Sequence, residues 1–262
     1  MKRHDRSRRW PGVRMLAGVA LAALSCAASA QQQAVLQSGP ERVALIELYT
    51  SQGCSSCPPA DQWLSRLKGH AALWRKVVPV AFHVDYWDYI GWRDPFARPG
   101  FGKRQRRYAM EGGTRTVYTP GIFLNGKDWR GWTREALPPT SPVRAGTLSV
   151  EDEGQTLRIR FQSADPEPRS LRTEAVLLGF DRTSRVTAGE NRGEELENDF
   201  IVLEATQSPM RRDGGVFVAD IPDFLPRNDF PRFALAVWVA DTVAQRPLQA
   251  VGGWWEPGTS DE

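Results

Sequence analysis

Two cysteines separated by two residues, Cys54-Ser55-Ser56-Cys57, are the groups in this chain best suited to chemistry. A disulfide between them closes so small a loop that it adds little to stability, because that contribution grows with the loop closed. Its value is chemical. The thiolate is the reactive form of cysteine, and a neighbouring pair exchanges electrons with other thiols through a mixed disulfide. The pair could also be half of a zinc site, but no second Cys-x-x-Cys exists.

Glu47 is a lone charge in the apolar run Val43–Tyr49. It either points to solvent from an edge strand or is a buried carboxylate near Cys57. Burial raises a carboxyl pKa and suits it to accept a proton during exchange. His83 stands at the end of a second apolar run, with Asp85 two residues on. It reads as a hydrogen-bonded core or strand-end histidine; the alternative is a metal ligand that joins Cys54 and Cys57 around copper or zinc. Tyr86, Trp87, Tyr89 and Trp92 are core filler or a platform for an unfolded peptide. Lys103, Arg104, Arg106 and Arg107 read as a solvated helix face.

The elements that must position these groups follow from the pattern. Val43–Tyr49 and Val77–Val84 are strand-like. After the turn Thr50–Gly53, residues Ala60, Trp63, Leu64 and Leu67 recur at helical spacing behind Pro58-Pro59, prolines that a first helical turn tolerates. The cysteines therefore sit where a strand turns into a helix. There Cys54 gains from the helix dipole, so its pKa is expected to be lowered, and Cys57, one turn in, is expected to be the more buried. Lys103–Met110 is predicted helical. Ile122–Leu124 leads into Asn125-Gly126, a hairpin turn signal. A proline cluster at 138–142 marks a boundary, and beyond it lie seven strand-like segments: Thr147–Glu151, Leu157–Phe161, Thr173–Phe180, Phe200–Ala205, Val216–Ile221, Phe233–Ala240 and Gln249–Trp254.

Val43–Tyr49, the Cys-Ser-Ser-Cys motif, and Thr119-Pro120 with a hairpin after the proline together resemble the thioredoxin fold. The stretches Tyr49–Asp61 and His83–Pro95 resemble an uncharacterised family of secreted bacterial thioredoxin-like proteins with a Cys-Ser-Ser-Cys-Pro-Pro motif. The resemblance implies that Pro120 is cis and faces the cysteines, and that Thr119 offers backbone hydrogen bonds to an extended substrate. It covers roughly residues 41–132. The Ser-Ser dipeptide departs from the Gly-Pro of thioredoxin and the Pro-His of oxidising relatives, so the direction of electron flow stays open. The expected architecture is an α/β thioredoxin-like domain at 41–138 followed by a small all-β, sandwich-like domain at 144–256.

The first thirty residues read as a secretory signal peptide: a basic stretch to Arg14, an apolar run from Met15 to Leu24, and Ala28-Ser29-Ala30. That leader holds six of the 34 basic residues and one of the 31 acidic ones, which leaves 28 and 30, a net charge of −2. The balance disfavours a general nucleic-acid binder. No later segment is apolar enough to span a membrane. The sequence thus predicts a periplasmic or secreted thiol–disulfide oxidoreductase. Its substrates are protein thiols or disulfides, an unidentified partner restores its redox state, and no organic cofactor is needed because the cysteines carry the electrons. The competing readings are a copper- or zinc-binding protein using Cys54, Cys57 and His83, and a non-enzymatic binding module.

Overall fold

The structure, a computed structural model, describes residues 1, 35–134, 136–167, 170–224, 229–243 and 245–255. The expected signal peptide, which contains the chain's third cysteine, Cys26, lies outside the described residues apart from Met1. From Val35 onward the described residues belong to one compact unit.

The chain runs through β1 (Leu36–Gln37), β2 (Ala44–Thr50), α1 (Pro58–Arg66), β3 (Val77–His83), α2 (Pro99–Met110), β4 (Gly121–Leu124) and β5 (Lys127–Asp128). It continues through β6 (Gly146–Asp152), β7 (Thr156–Ser163), β8 (Leu171–Gly179), β9 (Arg182–Arg185), β10 (Glu195–Asn198), β11 (Ile201–Pro209), β12 (Arg211–Asp213), β13 (Val216–Pro222), β14 (Phe233–Asp241) and β15 (Pro247–Trp255). Short 3-10 helices occupy Leu67–Gly69, Asp85–Ile90 and Gly131–Arg134. All seven strand-like segments of the second half overlap observed strands.

The fold class differs from the expectation. The protein is mostly β-sheet, 44% strand against 16% helix, and is not an α/β thioredoxin-like domain followed by a separate all-β domain. One eight-stranded sheet, ordered β15-β14-β8-β11-β3-β2-β4-β5, runs through both halves. The joint is physical. β3 pairs in parallel with β2 along its whole length, and its other edge is taken by β11, where the Ala81 amide donates to the Phe200 carbonyl at 2.8 Å. Pro79 fits this arrangement. Its missing N–H would point to the same side as that of Ala81, where β11 touches β3 at Ala81 alone, so no ladder bond is lost. A five-stranded sheet, β1-β6-β7-β13-β12, packs against the second half, and β1, which precedes β2 in the chain, forms its edge on β6.

The core follows the sheet. Alternate residues of β8 and β14 point to opposite faces. Val176, Leu178, Ala234, Ala236 and Trp238 join the apolar cluster of β2, β3, α1 and α2, while Ala175, Leu177, Leu235, Val237 and Val239 pack with the five-stranded sheet. At the other end, Asn125 and Gly126, both with positive φ (49° and 77°), make the β4–β5 turn, and the Asn125 side chain accepts from the Leu45 amide.

Candidate functional site

Cys54 and Cys57 form a disulfide, Cα–Cα 5.5 Å, at the mouth of α1. Cys57 is the N-cap, and Pro58 and Pro59 fill the first helical positions. Those prolines supply no amide hydrogens, and the amides of Ala60 and Asp61 both donate to the Cys57 carbonyl (2.9 and 3.2 Å). The donor groups a helix start would offer an anion are therefore few. Ser56 Oγ stands 3.3 Å from Cys54 Sγ. Both cysteines are buried, Cys54 at 1% exposure and Cys57 at 0%, while Ser55 and Ser56 are exposed. Burial thus does not separate the two sulfurs as the sequence predicts.

The Thr119–Pro120 bond is cis. Gly121 pairs with Tyr49 in the β2–β4 ladder, so Pro120 lies at the end of β2 that leads into the cysteine loop. Trp87 ties the two together. Its Cβ packs against Gly53, where an added Cβ would lie 3.3 Å from it, and its Nε1 donates to Thr119 Oγ1 at 2.7 Å. Gln105 Nε2 donates to the Tyr118 carbonyl at 2.6 Å and props the loop from α2, and Tyr86 donates to the same side chain. Trp92 donates to Gln52 Oε1 at 3.2 Å. Of the four aromatics, Tyr89 is 82% exposed and makes no such anchor.

Of the two alternatives for Glu47 the structure shows the buried one, but the side chain faces α2. Its carboxylate accepts from Tyr49 and Tyr108 hydroxyls and from Arg104 Nε (2.9, 2.6 and 2.8 Å), and Arg104 reaches on to Glu174. Arg104, read from sequence as part of a solvated face, is buried between these carboxylates, while Lys103 and Arg106 are exposed. β2 alternates, so Thr50 points to the other face. There its hydroxyl donates to Asp61 Oδ2 on α1 at 2.9 Å.

Asp61 is one site residue that the sequence reading missed. Burial raises its carboxyl to about 7, against the pull of His83 and the Thr50 hydrogen bond. His83 lies beside Thr50 in the β2–β3 register and is fully buried. Its Nδ1 sits 2.8 Å from Asp94 Oδ2. Burial pushes His83 down, but Asp94, by charge and hydrogen bond, and then Asp61 outweigh it, so its pKa is raised. Burial pushes Asp94 up, but His83 and the Gln52 and Phe96 amides hold it below its usual range. A cavity of about 160 Å³ borders Asp61, lined by Pro58, Gln62 and residues 195–198. A larger one, about 700 Å³, lies at the far end of β2 and β3 against Val43, Ala44 and Val77, away from the cysteines. Among the described residues no three His, Cys, Asp or Glu side chains are grouped to hold a metal ion, and His83 turns its Nδ1 to Asp94.

The second half of the chain completes the site. Asn191 Nδ2 donates to the carbonyls of Gln52 and Cys54 (2.8 and 3.0 Å). Glu190 Oε2 accepts from the Ser55 amide and hydroxyl (2.9 and 2.7 Å), and Gln52 Nε2 donates to Asn198 at 2.9 Å. No local signal in residues 190–198 points to the cysteines; only the folded chain brings them together.

The family described as "Protein of unknown function (DUF1223)" matches residues 45–239. The chain belongs to this family. The DUF1223 match runs from β2 into β14 and so contains both cysteines, Pro120 and the 190–198 segment. Two solved structures share the fold. Protein AGR_C_4864 from Agrobacterium tumefaciens is 22% identical, with a TM-score of 0.57 over 86% of this chain and 99% of that one. HBP35 of Porphyromonas gingivalis is 12% identical, with a TM-score of 0.59 over 86% and 80%. No curated protein matches the chain.

Proposed function

We propose that this chain is an exported thiol–disulfide oxidoreductase that acts on protein thiols or disulfides through Cys54 and Cys57. The observation that carries the reading is a disulfide closed across two residues at the start of a helix, where it staples almost nothing. Export is read from the leader, which would deliver the protein to the periplasm or outside the cell. Protein substrates fit a cysteine loop whose Ser55 and Ser56 are exposed.

In the reducing direction the Cys54 thiolate attacks one sulfur of a substrate disulfide. That S–S bond breaks, and the first substrate thiolate leaves and takes up a proton. Cys57, once deprotonated, attacks Cys54 sulfur, closes the 54–57 disulfide and expels the second substrate thiolate, which is protonated in turn. Two electrons and two protons pass to the substrate; oxidation of a substrate dithiol runs the same steps backwards. Asp61 supplies and accepts the Cys57 proton. It is a buried carboxyl that burial pushes up to about 7, and it follows Cys57 by four residues, a spacing that sets the two side chains on one face of α1. Glu47, with its oxygens bonded to Arg104, Tyr49 and Tyr108, holds α2 to β2 instead.

The test is titration of the purified chain against glutathione redox buffers, with thiols trapped by alkylation. A reversible midpoint is the expected result. One near about −120 mV assigns an oxidant of folding proteins, and one near about −270 mV a reductant. A pair that never interconverts reversibly overturns the reading.

A further inference from the structure

We propose that Glu190 and Asn191, carried on the β9–β10 connection, latch the cysteine loop and that the Glu190 carboxylate tunes the pair toward its more reducing range. The inference deepens the thiol–disulfide reading and rests on it. Neither residue touches a sulfur; both act through the loop, as positioning residues.

The geometry is specific. Ser55 follows Cys54 directly, and both of its donors, amide and hydroxyl, are spent on one oxygen of Glu190. The helix start offers little else to a thiolate. Pro58 and Pro59 have no amide hydrogen, and the Cys57 amide donates to the Cys54 carbonyl at 3.1 Å. The Ser56 hydroxyl stands beside Cys54 Sγ, at 3.3 Å. Glu190 therefore takes a donor from the neighbourhood of Cys54 and sets a full negative charge there. Asn191, itself buried, bridges the Gln52 and Cys54 carbonyls with one amide nitrogen and fixes the loop under that charge. The exchange is mutual: the Ser55 amide and hydroxyl hold the Glu190 carboxyl below its usual range, so it is ionised at neutral pH.

The chemical consequence follows from the balance of the reaction. One protein disulfide and two glutathione thiols give one protein dithiol and one glutathione disulfide, with two electrons and two protons passing to the protein. A feature that disfavours the Cys54 thiolate disfavours the reduced side, and lowers the potential, at any pH where that thiolate is formed.

The experiment uses the reduced full chain and its Glu190→Gln and Glu190→Ala variants. Iodoacetamide labelling of Cys54, located by mass spectrometry, is followed from acid to alkaline pH. Glutamine keeps an acceptor for Ser55 and drops the charge; alanine drops both. The other charged groups around the loop include Asp61 on α1; His83, Asp85, Asp88, Arg93 and Asp94 on β3 and the turn after it; Arg192 and Glu194 beside the latch; and Glu195 and Glu197 on β10, which line a cavity with Pro58 and Asp61. They are identical in all three proteins. The labelling midpoint is expected to fall in both variants by about half a pH unit or more, the direction and order of magnitude that loss of a nearby full negative charge gives. Above the wild-type midpoint, the glutathione equilibrium is expected to move about threefold toward the reduced pair. A midpoint unmoved in Glu190→Gln overturns the charge proposal, whatever Glu190→Ala does. Because Glu190 is exposed and glutamine nearly isosteric, the fold survives that change. The labelling profile needs only free thiols, so it reports on the latch even if the wild-type pair fails to cycle, an outcome that would sink the functional reading separately.

Discussion

At Asp61 a single carboxyl connects stability to chemistry. It lies four residues after Cys57 and three before Leu64, on the buried stripe of α1, where a charge is costly. Its folded pKa, about 7, is raised above the ordinary carboxylate value. A raised acid stabilises the protonated fold, so stability is lost as pH rises from about 4 through about 7. Asp61→Asn, which keeps an acceptor for Thr50, is expected to match the wild type near pH 4 and to exceed it above pH 7 by on the order of 2–4 kcal/mol. Denaturant titrations at the two pH values check this. The same variant is expected to slow closure of the 54–57 disulfide at pH 7 by at least about tenfold and to remove the break near pH 7 from its rate profile. An unchanged profile would remove Asp61 from the mechanism. The cysteines were legible in sequence from their spacing, and Thr119-Pro120 through the resemblance to the thioredoxin fold. Asp61 was not, because a carboxylate in a first helical turn is ordinary unless its face is known. His83 was legible as a buried, hydrogen-bonded histidine, but its partner Asp94, eleven residues on, was not.

Among the elements, β2 shows how one strand serves two purposes. All seven of its residues are buried, because α1 covers one face and α2 the other. Period-2 alternation then sends Glu47 and Tyr49 to α2 and Thr50 to α1. The apolar run was readable; which helix covers which face was not, and that decides what Glu47 does. Arg104 was misread for the same reason. In a helix with basic residues at 103, 104, 106 and 107, only the partner carboxylates on β2 and β8 show which one turns inward. Glu47→Ala leaves Arg104 buried with Glu174 alone, and removal of one partner from a buried ion pair costs about 3–5 kcal/mol. The expected outcome is a large fall in unfolding midpoint with the glutathione equilibrium of the folded protein unchanged. A shifted redox midpoint at unchanged stability would return Glu47 to the chemistry.

For the whole molecule, the decisive event is the addition of β11 to β3. Each strand of the second half could be located from its own pattern, but sheet membership is set by edges that meet only in the folded chain. A proline-rich stretch between unlike textures therefore reads as a domain boundary although one sheet passes beneath it. The consequences are measurable. Cut after residue 138, the first half would expose the β3 edge and lose Val176, Leu178, Phe200 and Trp238 from its core. It would also lose Glu174 from Arg104, Asp199 from Lys68 and Asn198 from Gln52. Open edges and uncovered apolar surface favour aggregation over folding. A fragment of residues 35–138 is thus expected to lack a cooperative unfolding transition by circular dichroism. The full chain is expected to unfold in one step, with its cysteine loop and its second half lost together. A fragment that folds cooperatively and keeps the redox midpoint of the full chain would mean that β11 decorates a self-sufficient unit. If the fragment is unfolded, the cysteine site is a property of the joined sheet, and residues 190–198 belong to it as fully as residues 52–57.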